Sequence, residues 1–260
     1  MSVIALRPFR SIHAIERNVL AYRHNWIVLF SGFFEPVLYL LGIGFGIGSL
    51  VRTIPLGQGH SISYAVFVAP ALLASSAMNG AIYESTFNLF YKLRYAKTFD
   101  TVIATPVGVE EVTLGEVIWA VARGSLYSIG FIIFMLALGL IKSPWAVFAL
   151  PAAIFIGFAF AALGSAMTTF MRSWQDFDLV TLLMQPMFLF SATFFPITVY
   201  PTWLQVIVQI TPLYRGIDLT RSLTIGTVGP NVLVDLGYLV VLGIAGVLLA
   251  GARIRRKLLK

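Results

Sequence analysis

Long apolar runs, separated by short charged or proline-rich interruptions, dominate the chain. They lie at residues 26–51, 62–90, 112–141, 145–171, 177–195 and 231–252. About 20 apolar residues suffice to carry a helix across the hydrocarbon of a bilayer. The pattern therefore predicts an all-α polytopic membrane protein with six transmembrane helices in a domain spanning 26–252. The segment ahead of the first run is amphipathic. Over Arg7–Asn25, Phe9, Ile12, Ile15, Val19 and Tyr22 fall on one side of a helical wheel and Arg10, His13 and Arg17 on the other, with Glu16 and Arg23 blurring the edge. A basic amphipathic helix before a span lies in the membrane interface or against a cytoplasmic partner. Residues 1–25 are expected to form such a segment.

Two interruptions have patterns of their own. Tyr91–Glu116 carries Lys92, Arg94 and Lys97, then Asp100, Pro106 and the pair Glu110, Glu111. Within it Leu93, Phe99, Val102 and Ile103 alternate with charge at roughly helical spacing. Pro106 and Gly108 stop the segment, because proline lacks a donor and glycine weakens a helix. A short cytoplasmic helix within 91–103 is expected, with Arg94, Lys97, Thr98, Phe99 and Asp100 as candidate contacts to a protein that delivers force. A solvated connector is the plain alternative. The second interruption, 196–229, is broken by Pro196, Pro201 and Pro212. Its apolar stretch Trp203–Ile210 is too short to span and too apolar for a free loop, so a re-entrant or interfacial helix is expected. A second short helix, Leu213–Leu223, carries Arg215, Asp218 and Arg221.

Composition agrees with the pattern. Hydrophobic residues make up 58% of the 260 and charged residues 11%, against about 25% charged in soluble domains. The net charge of +7 is explained by its placement and implies no nucleic-acid partner. With six spans both termini share a side. That side receives thirteen lysines and arginines, including the basic tail at 253–260, against four on the other (Arg52, Lys142, Arg215, Arg221), with Arg123 inside the third span. The positive-inside bias then places both termini in the cytoplasm and the region 196–229 outside. The chain has no cysteine and three scattered histidines, so neither disulfides nor a metal cluster is expected.

Catalytic signals are weak. There is no GxxxxGK[ST] loop, no HExxH and no GxSxG, so the chain is not expected to hydrolyse nucleotide or act as an enzyme by itself. Asp176-Phe177-Asp178 has the form of a DxD metal motif, but aspartates at a helix start serve most often as caps. The intramembrane ions say more. Glu35, Glu84, Glu116 and Arg123 each face a cost of roughly 2.5–3.5 kcal/mol in hydrocarbon, so each should face protein or water. Glu84 and Arg123 lie at comparable depths from the cytoplasmic ends of adjacent spans and are expected to pair, as a structural brace or as part of a transport site. Phe188, Phe190, Phe194 and Phe195 form an aromatic cluster near the outer end of the fifth span. It is either ordinary packing or a surface along which an amphiphile could slide. Gly42, Gly44, Gly46 and Gly48 in the first span suggest close helix approach.

Several stretches together resemble one family. FEPVLYLLGIGFGIG, VFVAPALLASSAMNGAIYES and TFDTVIATPVGVEEVTLGE follow the order of an ABC-2 type transporter permease, and QPMFLFSATFFPITVYPTWLQVIVQITPLYRGIDLTRSL is similar to that family's most distinctive signature. Nodulation lipo-oligosaccharide exporters and daunorubicin-type drug exporters are the groups it most resembles. The resemblance implies a type V exporter-like half-transporter in the plasma (inner) membrane, paired with a second copy or a homologous permease. Each permease would sit on a separate ATPase subunit that binds ATP and magnesium, leaving no cofactor in this chain. It also implies a connecting helix at Pro8–Tyr22, a coupling helix within Tyr91–Ile103, and a re-entrant hairpin at about Pro201–Ile225, before the sixth span.

Three functions are thus open on the sequence. The first is the permease of an ATP-driven exporter of an amphiphile (a drug, glycolipid or lipid-linked saccharide), working by alternating access among membrane lipid. The second is an ion-coupled secondary transporter using Glu35, Glu84 and Arg123, although no convincing internal repeat of the kind common in such proteins is present. The third is a lipid-modifying membrane enzyme, supported only by Asp176 and Asp178.

Overall fold

The computed structural model describes residues 18, 26–51, 53–57, 60–96 and 108–258. Apart from Asn18, the amphipathic segment predicted over Arg7–Asn25 lies outside these residues, as do Lys97, Thr98, Phe99 and Asp100 of the expected coupling helix.

The first span is α1 (Trp26–Tyr39), which widens into a π-helical stretch at Leu40–Ile47 and ends in α2 (Gly48–Val51). The following connection is a small antiparallel hairpin, β1 (Thr53–Gly57) against β2 (His60–Ser63), with Ile54 opposite Ile62 and a bulge between Pro55 and Gly57. Pro55, Gly57 and Gly59 in residues 52–61 suggest only a short loop there. The Ser63 hydroxyl accepts from the Val66 N–H and caps the second span. That span is α3 (Tyr64–Tyr83), a π-helical turn at Glu84–Asn88, and α4 (Leu89–Arg94). The third is α5 (Val109–Ala137). The fourth opens with a 3-10 turn, Pro144–Phe148, and continues as α6 (Ala149–Thr168).

Then come α7 (Phe177–Phe190), the two short helices α8 (Thr202–Ile210) and α9 (Pro212–Ile225), and α10 (Asn231–Leu258). Among the described residues, five helices are long and apolar enough to cross a membrane. The segment predicted as the fifth span is a 14-residue helix, α7, and gives way at Ser191 to irregular backbone. The region predicted as re-entrant forms two helices joined at Thr211, whose hydroxyl accepts from the Tyr214 N–H. Pro212 at the first position of α9 needs no donor there.

The second span is the axis of the bundle. Of its apolar window 94% is buried, against 22% for the last span, and it touches α5, α6 and α9. Lipid is as apolar as the side chains, so burial between membrane helices gains little from hydrophobicity and depends on close packing. Small residues supply that packing. Ala71, Ala74, Ala77 and Ala81 of the second span share one core with Ala152, Ala153 and Ala159 of the fourth. The tightest crossing is between α3 and α5: a Cβ on Gly80 would sit 2.7 Å from the Gly124 Cα, and one on Gly124 would sit 2.7 Å from the Ala77 carbonyl oxygen. In the predicted glycine series of the first span, Gly44 and Gly48 face Leu40, Ala65 and Tyr64, whereas Gly42 and Gly46 meet nothing within 4 Å.

Candidate functional site

The Gly80–Gly124 crossing sets the neighbouring side chains. Four residues past Gly80, Glu84 is buried at the start of the π-helical turn; Arg123 directly precedes Gly124. With the backbones this close, the two side chains meet: Arg123 Nη1 donates to Glu84 Oε2 at 2.7 Å, and Arg123 Nε donates to the Tyr127 hydroxyl at 3.0 Å. The predicted pair is therefore formed. The π-helical turn departs from regular α pairing, and Thr168 on the fourth span donates its hydroxyl to the Ser85 carbonyl at 2.9 Å.

The pair belongs to a larger set. Asn88, one turn on, donates to Glu84 Oε2 at 2.6 Å. Lys92, a further turn on, lies 3.9 Å from Glu84 and donates to Glu116 Oε2 at 2.6 Å. Asn18 accepts from Lys92 at 3.0 Å and donates to Glu116 at 3.3 Å. Among the described residues, two carboxylates and two cations face one another. Balance of this kind lets ionised groups sit in a poorly solvated place. Residues 84, 88 and 92 share one helix face at a spacing of four, a signal that could have identified Asn88 and Lys92 as members. Among the described residues, Asn18 comes from ahead of the first span. Arg94, two residues past Lys92, donates to the Met171 carbonyl at 3.2 Å, tying the end of the second span to the turn that follows the fourth.

Glu35 stands apart from this cluster. Together with Tyr39, Asn79, Tyr83, Gln185 and Phe188 it lines a cavity of about 130 Å³ between the first span, the second span and α7. One carboxylate, two amides and a wall of aromatic rings converge there. Of the predicted aromatic cluster, Phe188 and Phe194 meet edge to face at 5.4 Å and both approach Tyr39. Phe190 lies instead beside Tyr200, and Phe195 is exposed.

The re-entrant residues divide in the same way. Arg221 donates to the carbonyls of Phe67 at 3.3 Å and Ala192 at 2.9 Å, with its guanidinium 3.9 Å from the centroid of the Phe67 ring. Thr220 donates to the Pro70 carbonyl at 3.0 Å. Pro70 interrupts the hydrogen-bond ladder of α3, and α9 docks at that interruption. Ala192 adopts a left-handed φ of 57°, a position that favours glycine, and Arg221 binds its carbonyl. Arg215 pairs with Asp235 at 3.0 Å, and Asp235 is fully buried. The sequence reading did not flag Asp235. Its signal was a lone acid near the start of an otherwise apolar run, in a chain with an arginine at 215 to match it. Trp203 is 66% exposed on α8, and Asp218 joins the Arg215–Asp235 group through a side-chain hydrogen bond with Asp235 and lies within electrostatic reach of Arg221.

Asp176 is a cap. Its carboxylate accepts from the backbone N–H groups of Arg172 at 2.6 Å and Ser173 at 3.2 Å, and these bonds hold it below the usual carboxylate range. Among the described residues no three acidic or histidine side chains gather as a metal would require.

The geometry is that of a charge-braced helical bundle with a polar cavity on its flank. The comparisons agree. Residues 12–225 match the ABC-2 type transporter family. The chain is 31% identical over 247 residues to nodulation protein J of Rhizobium leguminosarum bv. viciae, covering 94% of this chain and 93% of that one. It is 29% identical over 246 residues to nodulation protein J of Rhizobium meliloti (94% and 92% covered). It is also 24% identical over 223 residues to the inner membrane transport permease YadH of Escherichia coli (84% of each). The chain belongs to the ABC-2 type transporter family and is a multi-pass membrane permease subunit of an ABC transporter.

Proposed function

We propose that this permease exports an amphiphile across the inner membrane, driven by ATP hydrolysis in a separate subunit, with both termini in the cytoplasm and a second permease beside it. The observation that carries the reading is the flank cavity. Glu35, Asn79 and Gln185 offer a hydrogen-bonding floor for a polar head, and Tyr39, Tyr83 and Phe188 offer an apolar wall for its tail. Its volume of about 130 Å³ is below the roughly 300–1,000 Å³ of sites that enclose a drug-sized molecule. A substrate therefore enters only when the first span or α7 moves, which alternating access supplies. ATP shifts the equilibrium through its different affinity for the two states of the ATPase pair.

The charge cluster suits transmission. Lys92 lies at the edge of the coupling region and is tied to Glu84 and Glu116 in two different spans. Displacement of residues 91–103 then pulls on both spans together. Glu84 and Arg123 neutralise each other and Glu35 lies elsewhere, so the three residues of the ion-coupled alternative do not gather in one site.

The test is co-expression with candidate ABC ATPase subunits from the same genome, purification, and measurement of ATP turnover against a panel of amphiphiles. Turnover raised by a subset of the panel, and altered in that preference by Glu35→Gln, is the expected result. Failure to associate with any nucleotide-binding subunit, or turnover indifferent to every amphiphile, would refute the reading.

A further inference from the structure

At the end of the bundle where the chain's C-terminus lies, an apolar groove of about 450 Å³ opens sideways between the fourth span and α7. Phe170, Leu179 and Leu183 line it and are each more than half exposed. Leu183 lies six residues into α7 from Phe177, roughly 9 Å deeper at 1.5 Å per residue. The groove therefore runs from the rim of the bundle towards the hydrocarbon.

Cations crowd its mouth. Arg172 is part of the wall. Arg253 lies 3.6 Å from the centroid of the Phe170 ring and donates its Nε to the Thr169 hydroxyl at 3.0 Å. Those two contacts fix the guanidinium at the groove. Lys257 follows one helical turn later, within electrostatic reach of Arg253, Arg172 and Arg94. One acid, Asp176, lines the groove, and its carboxylate is occupied by the Arg172 and Ser173 backbone N–H groups and the Ser173 hydroxyl. Among the described residues no carboxylate lies within ion-pair distance of Arg94, Arg172, Arg253 or Lys257. Among the described residues these four cations face one carboxylate, Asp176, and repel one another beside an apolar slot.

We propose that this groove binds an anionic phospholipid of the leaflet at that end, with the phosphate held by Arg172, Arg253 and Lys257 and an acyl chain laid against Phe170, Leu179 and Leu183. Charge complementarity selects the class. A zwitterionic lipid brings its own cation to the same place, whereas an anionic one supplies the missing charge. An apolar slot continuous with the charged mouth favours a lipid over a soluble acidic peptide. The groove adjoins the flank cavity at Val180, which lines both, but its charged mouth lies away from Glu35 and its lipid site does not depend on the identity of the cargo.

The experiment uses the full-length protein, delipidated in neutral detergent. Phosphatidylglycerol or phosphatidylcholine is added back, and both retained lipid (by native mass spectrometry) and the thermal midpoint are read. Phosphatidylglycerol is expected to be retained and to raise the midpoint; phosphatidylcholine is not. Removing each cation should weaken retention about fivefold, from the usual strength of one basic residue at an anionic surface. Lys257→Gln is the mildest variant, Arg172→Gln/Lys257→Gln the stronger one. Leu183→Trp fills the slot while leaving every cation, and should also reduce retention. Equal effects of the two lipids on the wild type would overturn the site, as would unchanged phosphatidylglycerol retention in both the double variant and Leu183→Trp. A cysteine at Leu183 that cross-links efficiently to a second permease or an ATPase subunit would overturn it too, since a protein would then cover the groove.

Discussion

Neutralising one member of the Glu84–Arg123 pair should cost more than neutralising both. The side chains are 1% and 10% exposed and meet at 2.7 Å. Breaking a buried pair by removing one partner costs about 3–5 kcal/mol, because the other charge is left uncompensated. The two single changes should differ. In Arg123→Gln, Glu84 keeps Asn88 at 2.6 Å and Lys92 at 3.9 Å, so the cost should fall near the lower end, about 3 kcal/mol. In Glu84→Gln, Arg123 loses the carboxylate at 2.7 Å and keeps the neutral Tyr127 hydroxyl at 3.0 Å, and the cost should rise towards about 5 kcal/mol. Each single change also leaves the four-charge set unbalanced by one. The double change restores balance, leaving Lys92 against Glu116 at 2.6 Å, and two amides can bond to each other. For the double change to cost less than either single one, the coupling energy must exceed about 5 kcal/mol, above the roughly 0.5–3 kcal/mol usual for contacting residues, because each single change strands a buried charge. Unfolding of the purified protein in mixed micelles would measure all four forms. Additivity within about 0.5 kcal/mol would refute the claim that the two charges stabilise each other, whatever their separation.

Four other outcomes follow from particular contacts. Gly124→Ala places a methyl 2.7 Å from the Ala77 carbonyl oxygen, and the two spans must separate; a loss of about 1–3 kcal/mol in the same unfolding assay is expected. Asp176→Asn should destabilise the turn before α7 in a pH-dependent way. The folded carboxyl is held low by the Arg172 and Ser173 backbone donors, so its contribution is present above the unfolded carboxyl pKa and is lost as pH falls through the folded one; melting curves of the two forms should converge in acid. Thr53→Cys on the exposed hairpin should react with an impermeant thiol reagent from outside intact cells and Lys257→Cys should not, against a background with no native cysteine; the reverse pattern would invert the topology. Phe99→Ala, in the segment proposed to engage the ATPase, should weaken association or uncouple hydrolysis from export, with about 2 kcal/mol or more of binding at stake for a packed aromatic anchor; copurification and turnover would decide.

The sequence made some of this legible and hid the rest for physical reasons. Apolar runs locate the long helices because about 20 residues must cover the hydrocarbon, and prolines 196, 201 and 212 mark the broken region that becomes α8 and α9. The Glu84–Arg123 pair could be inferred from depth alone, since both charges must find a partner at a similar level. The Arg215–Asp235 pair was harder, because it joins a re-entrant helix whose depth no run length fixes. The π-helical stretches at Leu40–Ile47 and Glu84–Asn88 left no mark in the apolar pattern, since one extra residue per turn moves side chains round the axis without changing which are apolar. The cavity beside Glu35 depends on how three helices lean together, and a one-dimensional pattern carries no such information.

The burial of the second span has a consequence for how this protein can vary. A helix wetted by lipid on one side tolerates change at the positions facing out, with a rhythm of three or four. The last span, with 22% of its apolar window buried, should show that rhythm in a mutational library. The second span, at 94%, should show almost none from Tyr64 to Ile82: it has no outward face on which drift is free. Diverging permeases could then alter it only by simultaneous change in α5, α6 or α9. Its sequence would be inherited as a block together with theirs, while the first and last spans are remade independently.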